Sequence, residues 1–186
     1  MPRIERAKVV PCVLVAVVIM AGVMARVEVQ AQTPAPRPAS TVQQLMQAIL
    51  FPNANVIFAT ESDDPAAVPR DVKPSASTNP LAGLYGGWQA VENSSLALLE
   101  SADLLNISGR ACANGRPVPV GESQWKAAVQ ALRDSARATA AAARARSQEQ
   151  ISKADEQLAN SCSSCHRIYR RAENHCSPTS SVVQRP

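Results

Sequence analysis

The chain has 186 residues and carries 19 Lys and Arg against 15 Asp and Glu, a formal net charge of +4. Residues 1–31, which we predict to be removed, hold four of those basic residues and two of the acidic ones, so the remaining 155 residues have a net charge of +2. This near balance argues against a nucleic-acid partner, because the chain has neither a Lys/Arg run nor basic residues interleaved with aromatic ones.

The N-terminus has the layout of a secretory signal peptide. A basic head (Arg3, Arg6, Lys8) precedes an apolar run over 9–25, and the small residue Ala31 follows shortly after. We expect cleavage after Ala31. An uncleaved membrane anchor is the alternative, although the run is shorter than the ~20 residues of a spanning helix. The signal peptide predicts a periplasmic protein without a stable membrane span after cleavage.

Four helices are predicted after a Pro-rich flexible leader at 32–40. The first begins at Thr41 or Ser40 with apolar residues three and four apart. Pro52 is expected to kink or end it, although the apolar residues Val56, Ile57 and Phe58 suggest a continuation. An irregular connection over 61–80 leads to the second predicted helix, whose apolar residues follow a heptad repeat. A Gly- and Pro-rich loop over 109–121 then leads to the third predicted helix, which begins at Glu122. The heptad residues are Leu84, Trp88, Val91, Ser95, Leu98, Ala102 and Leu105.

The fourth predicted helix runs from about residue 150 to 171, and no segment alternates with the period of a strand. Four amphipathic helices predict an all-α fold, an antiparallel four-helix bundle. We assign 41–176 to one four-helix domain and 177–186 to a C-terminal tail.

The last helix contains Cys162-Ser-Ser-Cys165-His166, a C-x-x-C-H motif. Positions i, i+3 and i+4 share one helix face, so two thiols can bind the vinyl groups of one haem while His166 reaches its iron. The motif therefore predicts one covalent haem c. Two alternatives are a redox dithiol and a zinc site made of Cys162, Cys165, His175 and Cys176. The dithiol motif usually starts a helix after a strand, and the adjacent His175 and Cys176 are awkward zinc ligands.

A bundle whose last helix carries C-x-x-C-H near its C-terminus resembles the class II c-type cytochromes, cytochrome c′ and its low-spin relatives. The matching stretch is 158–170, with Tyr169 and Arg170 three and four places after His166, and a weaker match covers 41–46 followed by Pro52. The 61–80 connection is longer than the family pattern. The resemblance implies a periplasmic electron carrier or a gas-binding protein, often a homodimer.

Met46 is the candidate second ligand to the iron. Met1, Met20 and Met24 belong to the signal peptide, so Met46 is the only methionine left after cleavage. In an up-down-up-down bundle the start of the first helix and the end of the last lie at the same end, which brings Met46 and His166 to similar depth. Met46 either ligates the iron or only fills the core. His175 lies nine places after His166, which puts the two on opposite faces of a continuous helix, so His175 cannot share that iron.

Cys112 and Cys176 remain once the haem has its two thiols. They are predicted at one end of the bundle, and an exported compartment permits a disulfide between them. Two free or intermolecular thiols are the alternative.

The sequence thus predicts a periplasmic electron-transfer protein that serves redox partner proteins and is not an enzyme. The alternatives are a five-coordinate protein that binds a small gas such as NO or CO, and a zinc-binding or disulfide-stabilised structural bundle.

Overall fold

The computed structural model of the chain describes residues 37–68, 79, 81–170 and 176. They belong to Pro36–Pro186, one of the two compact units into which the chain divides; the other, Met1–Ala35, lies outside the described residues together with the predicted signal peptide. The predicted tail at 177–186 also lies outside them. The described residues form helices and no strand, which confirms the all-α prediction.

The first helical segment is continuous from Val42 to Glu61 but changes its hydrogen-bond pattern along its length. It consists of α1 (Val42–Leu45), a π turn (Met46–Leu50), α2 (Phe51–Phe58) and a 3-10 turn (Ala59–Glu61). Thr41 caps its start, as predicted. The Thr41 hydroxyl accepts from the Gln44 amide at 3.2 Å, and the Gln44 side chain accepts from the Thr41 amide at 2.9 Å. Two amide groups that a helix start leaves unpaired are thereby satisfied.

Pro52 does not end this segment, because the π turn comes directly before it. Proline has no N–H, and its ring would clash with the carbonyl four residues earlier in an α-helix. The Phe51 amide instead bonds to the Met46 carbonyl, five residues back. The Asn53 side chain donates to the Ile49 carbonyl at 2.7 Å. The wider turn lets the helix continue past Pro52 and keeps the Met46 and Ile49 carbonyls paired.

Helix α3 (Trp88–Leu104) carries the predicted heptad from Trp88 to Ala102, and the last heptad residue, Leu105, caps its end. The residues from Val91 to Leu105 at heptad positions are buried, but Leu84 is 59% exposed and precedes the helix. Gly87 explains this break: its φ is +62°, and a Cβ there would lie 2.7 Å from the Pro65 carbonyl oxygen. The inclusion of Leu84 in the heptad was wrong.

Helices α4 (Ser123–Ala145) and α5 (Gln148–Tyr169) are joined by two residues, Arg146 and Ser147. Along the chain, α2 packs against α3, α3 against α4, and α4 against α5. The face of α4 that packs into the core is made of buried residues three and four apart: Trp125, Val129, Leu132, Ala136, Thr139 and Ala143. Within the part of the chain that the structure describes, no helix is both long and apolar enough to span a membrane.

Candidate functional site

The motif Cys162, Cys165 and His166 lies in the C-terminal half of α5. Ser147 caps the start of this helix, and its hydroxyl accepts from the Gln150 amide at 3.3 Å. All three motif side chains are half-buried, and both cysteines pack against the hydrophobic core and are free thiols. The helix therefore presents two thiols and an imidazole, within just over one turn, at the boundary between core and solvent.

The surroundings of the two thiols hold them protonated. Burial raises the pKa of Cys165 to about 11, and the neighbouring Cys162 adds to the shift. Burial also raises the pKa of Cys162, against a smaller opposite effect of the Ser161 hydroxyl. Cysteines of thiol–disulfide enzymes have a lowered pKa, commonly from the N-terminus of a helix. The motif cysteines lie far from the start of α5, so their environment is unlike that of a redox dithiol.

The imidazole of His166 is held in its neutral form. Burial lowers its pKa, and the positive charge of Arg170, one turn on, lowers it further. A neutral imidazole has the lone pair that a metal ion requires. Ser163, His166, Arg167 and Arg170 line a surface hollow beside the motif, and Arg167 donates to the Ser164 hydroxyl at 3.2 Å. The hollow thus combines one potential metal ligand with two cationic side chains.

An aromatic pair closes the end of α5 against the start of α4. The rings of Trp125 and Tyr169 meet edge to face with their centroids 4.9 Å apart, and both residues are buried. The Tyr169 hydroxyl donates to Glu122 at 3.4 Å, while the buried indole N–H of Trp125 has no hydrogen-bond partner. A buried donor without a partner costs free energy, so this N–H offsets part of the stabilisation that the aromatic contact gives.

Met46 opens the π turn of the first segment and packs, half-buried, against the core. Such turns are frequent at functional sites. The connection over 105–122 links this segment to the motif helix. Its Ala111 carbonyl accepts from the Val42 amide at 2.9 Å, and its Cys112 is bonded to Cys176, which follows α5. The start of the first segment therefore contacts the loop whose Cys112 is bonded to Cys176.

Arg110 anchors that loop, a role that sequence reasoning missed. Its guanidinium is buried and donates to the Leu104 carbonyl at 3.0 Å and to the Ser40 carbonyl at 2.7 Å. Burial lowers the pKa of Arg110. A lone arginine in a Gly- and Pro-rich loop has no sequence signal that separates an anchor from a solvent-exposed side chain.

The disulfide between Cys112 and Cys176 confirms the pairing that the sequence favoured over free thiols. The two Cα atoms are 4.7 Å apart. Since a metal-bound cysteine is a thiolate, Cys176 is no longer available to the alternative zinc site. His175, the other ligand proposed from that region, lies outside the described residues. No group of three or more His, Cys, Asp or Glu is placed to hold a metal ion in the described part of the chain.

Asp155 is a second group that sequence reasoning missed. It is 1% exposed, and neither of its carboxylate oxygens has a hydrogen-bond partner. Burial raises its pKa to about 7, and the nearby carboxylate of Glu61 adds to the shift. The signal was present in the sequence: an acidic residue lies four places after Ile151 and three before Leu158, within the apolar stripe of α5.

Comparison with known proteins identifies no relative: no family model, no curated protein and no solved structure matches this chain. The function is therefore inferred from the residues and their arrangement.

Proposed function

We propose that this chain is a periplasmic monohaem c-type cytochrome that transfers single electrons. One observation carries the proposal: α5 presents two free, half-buried thiols and a neutral imidazole together at i, i+3 and i+4. The thiols of Cys162 and Cys165 would each add across one vinyl group of the haem, and His166 would donate its lone pair to the iron. When bound, the haem supplies an iron that cycles between the ferrous and ferric states.

The residues around the motif fit a haem. The porphyrin is a large apolar disc, and the motif cysteines lie against the hydrophobic core that would cover it. Its carboxylates need donors and positive charge at one edge. The guanidinium groups of Arg167 and Arg170 line the hollow beside the motif and provide both. The core beside the motif thus suits the apolar porphyrin, and the cationic side chains suit its carboxylates.

We infer that the helices pack as an antiparallel four-helix bundle. Successive helices are in contact, and the last two are joined by two residues, which favours antiparallel neighbours. The exported location rests on the predicted signal peptide at 1–31. The Cys112–Cys176 disulfide supports it, because disulfides persist in oxidising compartments.

Haem attachment is tested directly by expressing the full chain with a bacterial haem-attachment system and extracting it with acid and acetone. The wild type should keep a Soret band in the protein fraction, and the double variant Cys162→Ala/Cys165→Ala should lose essentially all of it. The matched control Cys112→Ser/Cys176→Ser removes two cysteines elsewhere and should keep its haem. A wild-type protein without a Soret band, or with haem that extraction removes, would overturn the proposal.

Met46 is the proposed distal ligand, which predicts a low-spin, six-coordinate spectrum. Met46→Ala should convert it to a high-spin spectrum and lower the reduction potential, because a thioether ligand stabilises ferrous iron. Ile49→Ala removes another half-buried side chain from the same π turn and should leave the spectrum low-spin. A low-spin spectrum in Met46→Ala would show that Met46 is not the ligand. A high-spin wild type that binds carbon monoxide would favour gas binding over electron transfer.

A further inference from the structure

The buried carboxyl group of Asp155 has no role in haem attachment, yet it lies on the helix that carries the motif. Cys162 lies seven places after Asp155 in the chain. Seven places correspond to 700° of helix rotation, close to two full turns, so both residues lie on the face of α5 that meets the core. The rise of an α-helix puts about 10 Å between them along the axis. Leu158, fully buried, lies between them. A charge on Asp155 would therefore act on a haem bound at Cys162 through the protein interior rather than through water.

Glu61 is the charged group that the structure sets against Asp155. It ends the 3-10 turn that packs on α5, and it is exposed to solvent. Asp63 and Asp64 follow it, and Asp64 accepts from the Ala66 amide. The Gln148 side chain, at the start of α5, donates to the Thr60 carbonyl at 3.1 Å and holds this turn in place. Protonated Asp155 can donate to Glu61, and Glu61 gives the proton a path to solvent.

Among the described residues, no Lys, Arg or His side chain forms an ion pair with Asp155. On α4, the helix packed beside it, Arg133 pairs with Asp103 and Arg144 pairs with Glu92, both on α3. Arg137 pairs with Asp134 on α4 itself. On α5, Lys153 pairs with Glu149 at the surface, and Glu156 is exposed. A proton, rather than an ion pair, is thus the means by which this carboxylate is neutralised.

We propose that Asp155, with Glu61, is a redox-linked proton site of this cytochrome. The inference rests on the proposed function. When the attached haem accepts one electron from a one-electron donor protein, or from a viologen mediator in the laboratory, Asp155 takes up one proton from solvent through Glu61. Oxidation returns the electron to an acceptor and the proton to solvent. Charge balances in each direction, because the added electron and the added proton enter the same low-dielectric interior.

The test is the midpoint potential of the haem-loaded full chain, titrated with mediators between pH 5 and pH 9. The wild-type potential should fall with rising pH across a window around neutrality and be flat outside it. Asp155→Asn should lose this window. Glu61→Gln keeps the titrating group but removes its charged neighbour, so the window should move to lower pH. Glu156→Gln removes an exposed carboxylate one residue away and should leave the profile unchanged.

Infrared difference spectra between the reduced and oxidised protein give a second readout, which would not change if Asp155 had only a structural role. Reduction at neutral pH should produce the carbonyl stretch of a protonated carboxylic acid, absent in Asp155→Asn. If the chain carries covalent haem but its midpoint potential has the same pH profile in wild type, Asp155→Asn and Glu61→Gln, this inference is overturned and the proposed function stays intact. Because Glu61 is exposed, Glu61→Gln decides the question even if Asp155→Asn fails to fold. A chain without covalent haem would overturn both proposals.

Discussion

Replacing Cys112 and Cys176 together by serine should lower the free energy of unfolding by about 4 kcal/mol, which is the chain-entropy expectation for a closed loop of this size. The disulfide joins residues 64 apart in sequence and thereby restricts the unfolded chain over α4 and α5. The native state should keep its fold, because the loop retains its contacts from Arg110 to Ser40 and from Ala111 to Val42. Denaturant unfolding followed by far-ultraviolet circular dichroism measures the difference.

The single variant Cys112→Ser serves as the control, since it breaks the same bond and leaves one free thiol. It should lose about as much stability as the double variant. With the haem kept ferrous in all three proteins, a chemical reductant that opens the disulfide should lower the stability of the wild type. It should leave the stability of both variants unchanged. Equal unfolding midpoints for the wild type and the double variant would contradict the prediction.

The stability of the protein should fall as pH rises from about 4 to about 7, because of Asp155. Its pKa in the folded protein is about 7, against an ordinary value of 3.8, so between these two pH values the folded chain holds a proton that the unfolded chain releases. Stability then decreases with pH across that window and levels off above it. The full difference amounts to about 4 kcal/mol at 1.36 kcal/mol for each pKa unit.

Asp155→Asn should remove this dependence, so its stability relative to the wild type should improve between about pH 4 and about pH 7 and stay constant above that range. Denaturant unfolding at several pH values measures the trend, and Glu156→Gln is the matched control because Glu156 is exposed on the same helix. A stability difference between Asp155→Asn and wild type that does not change with pH would show that Asp155 is not protonated in the folded state.

The helices were predictable because each has a local pattern. Spacings of three and four residues marked the buried faces of α3, α4 and α5, and the all-α class followed from them. The error at Leu84 arose because an apolar residue kept the heptad spacing across a helix boundary. Gly87 ends the pattern there, since it adopts a positive φ where it passes close to the Pro65 carbonyl. The spacing of apolar residues along the chain cannot predict such a contact between segments that are distant in sequence.

Whether the first helical segment ends, kinks or continues at Pro52 could not be decided from the sequence either. Both a kink and a continued helix agreed with the apolar residues after it. The outcome depends on whether the preceding turn widens, and the tertiary packing of Leu50 and Ala54 into the core favours a continuous helix. The π turn that results starts at Met46, the residue proposed to face the haem.

The motif at Cys162, Cys165 and His166 was evident from the sequence by itself, because the residues that form it are neighbours on one helix turn. The tertiary structure decided what surrounds it. It paired Cys112 with Cys176, kept the motif thiols half-buried and protonated, and set the orphaned N–H of Trp125 beside Tyr169. It also buried Asp155 against Glu61. These features come from contacts between residues far apart in the chain, and burial, which sets their energies, exists only once the helices have packed.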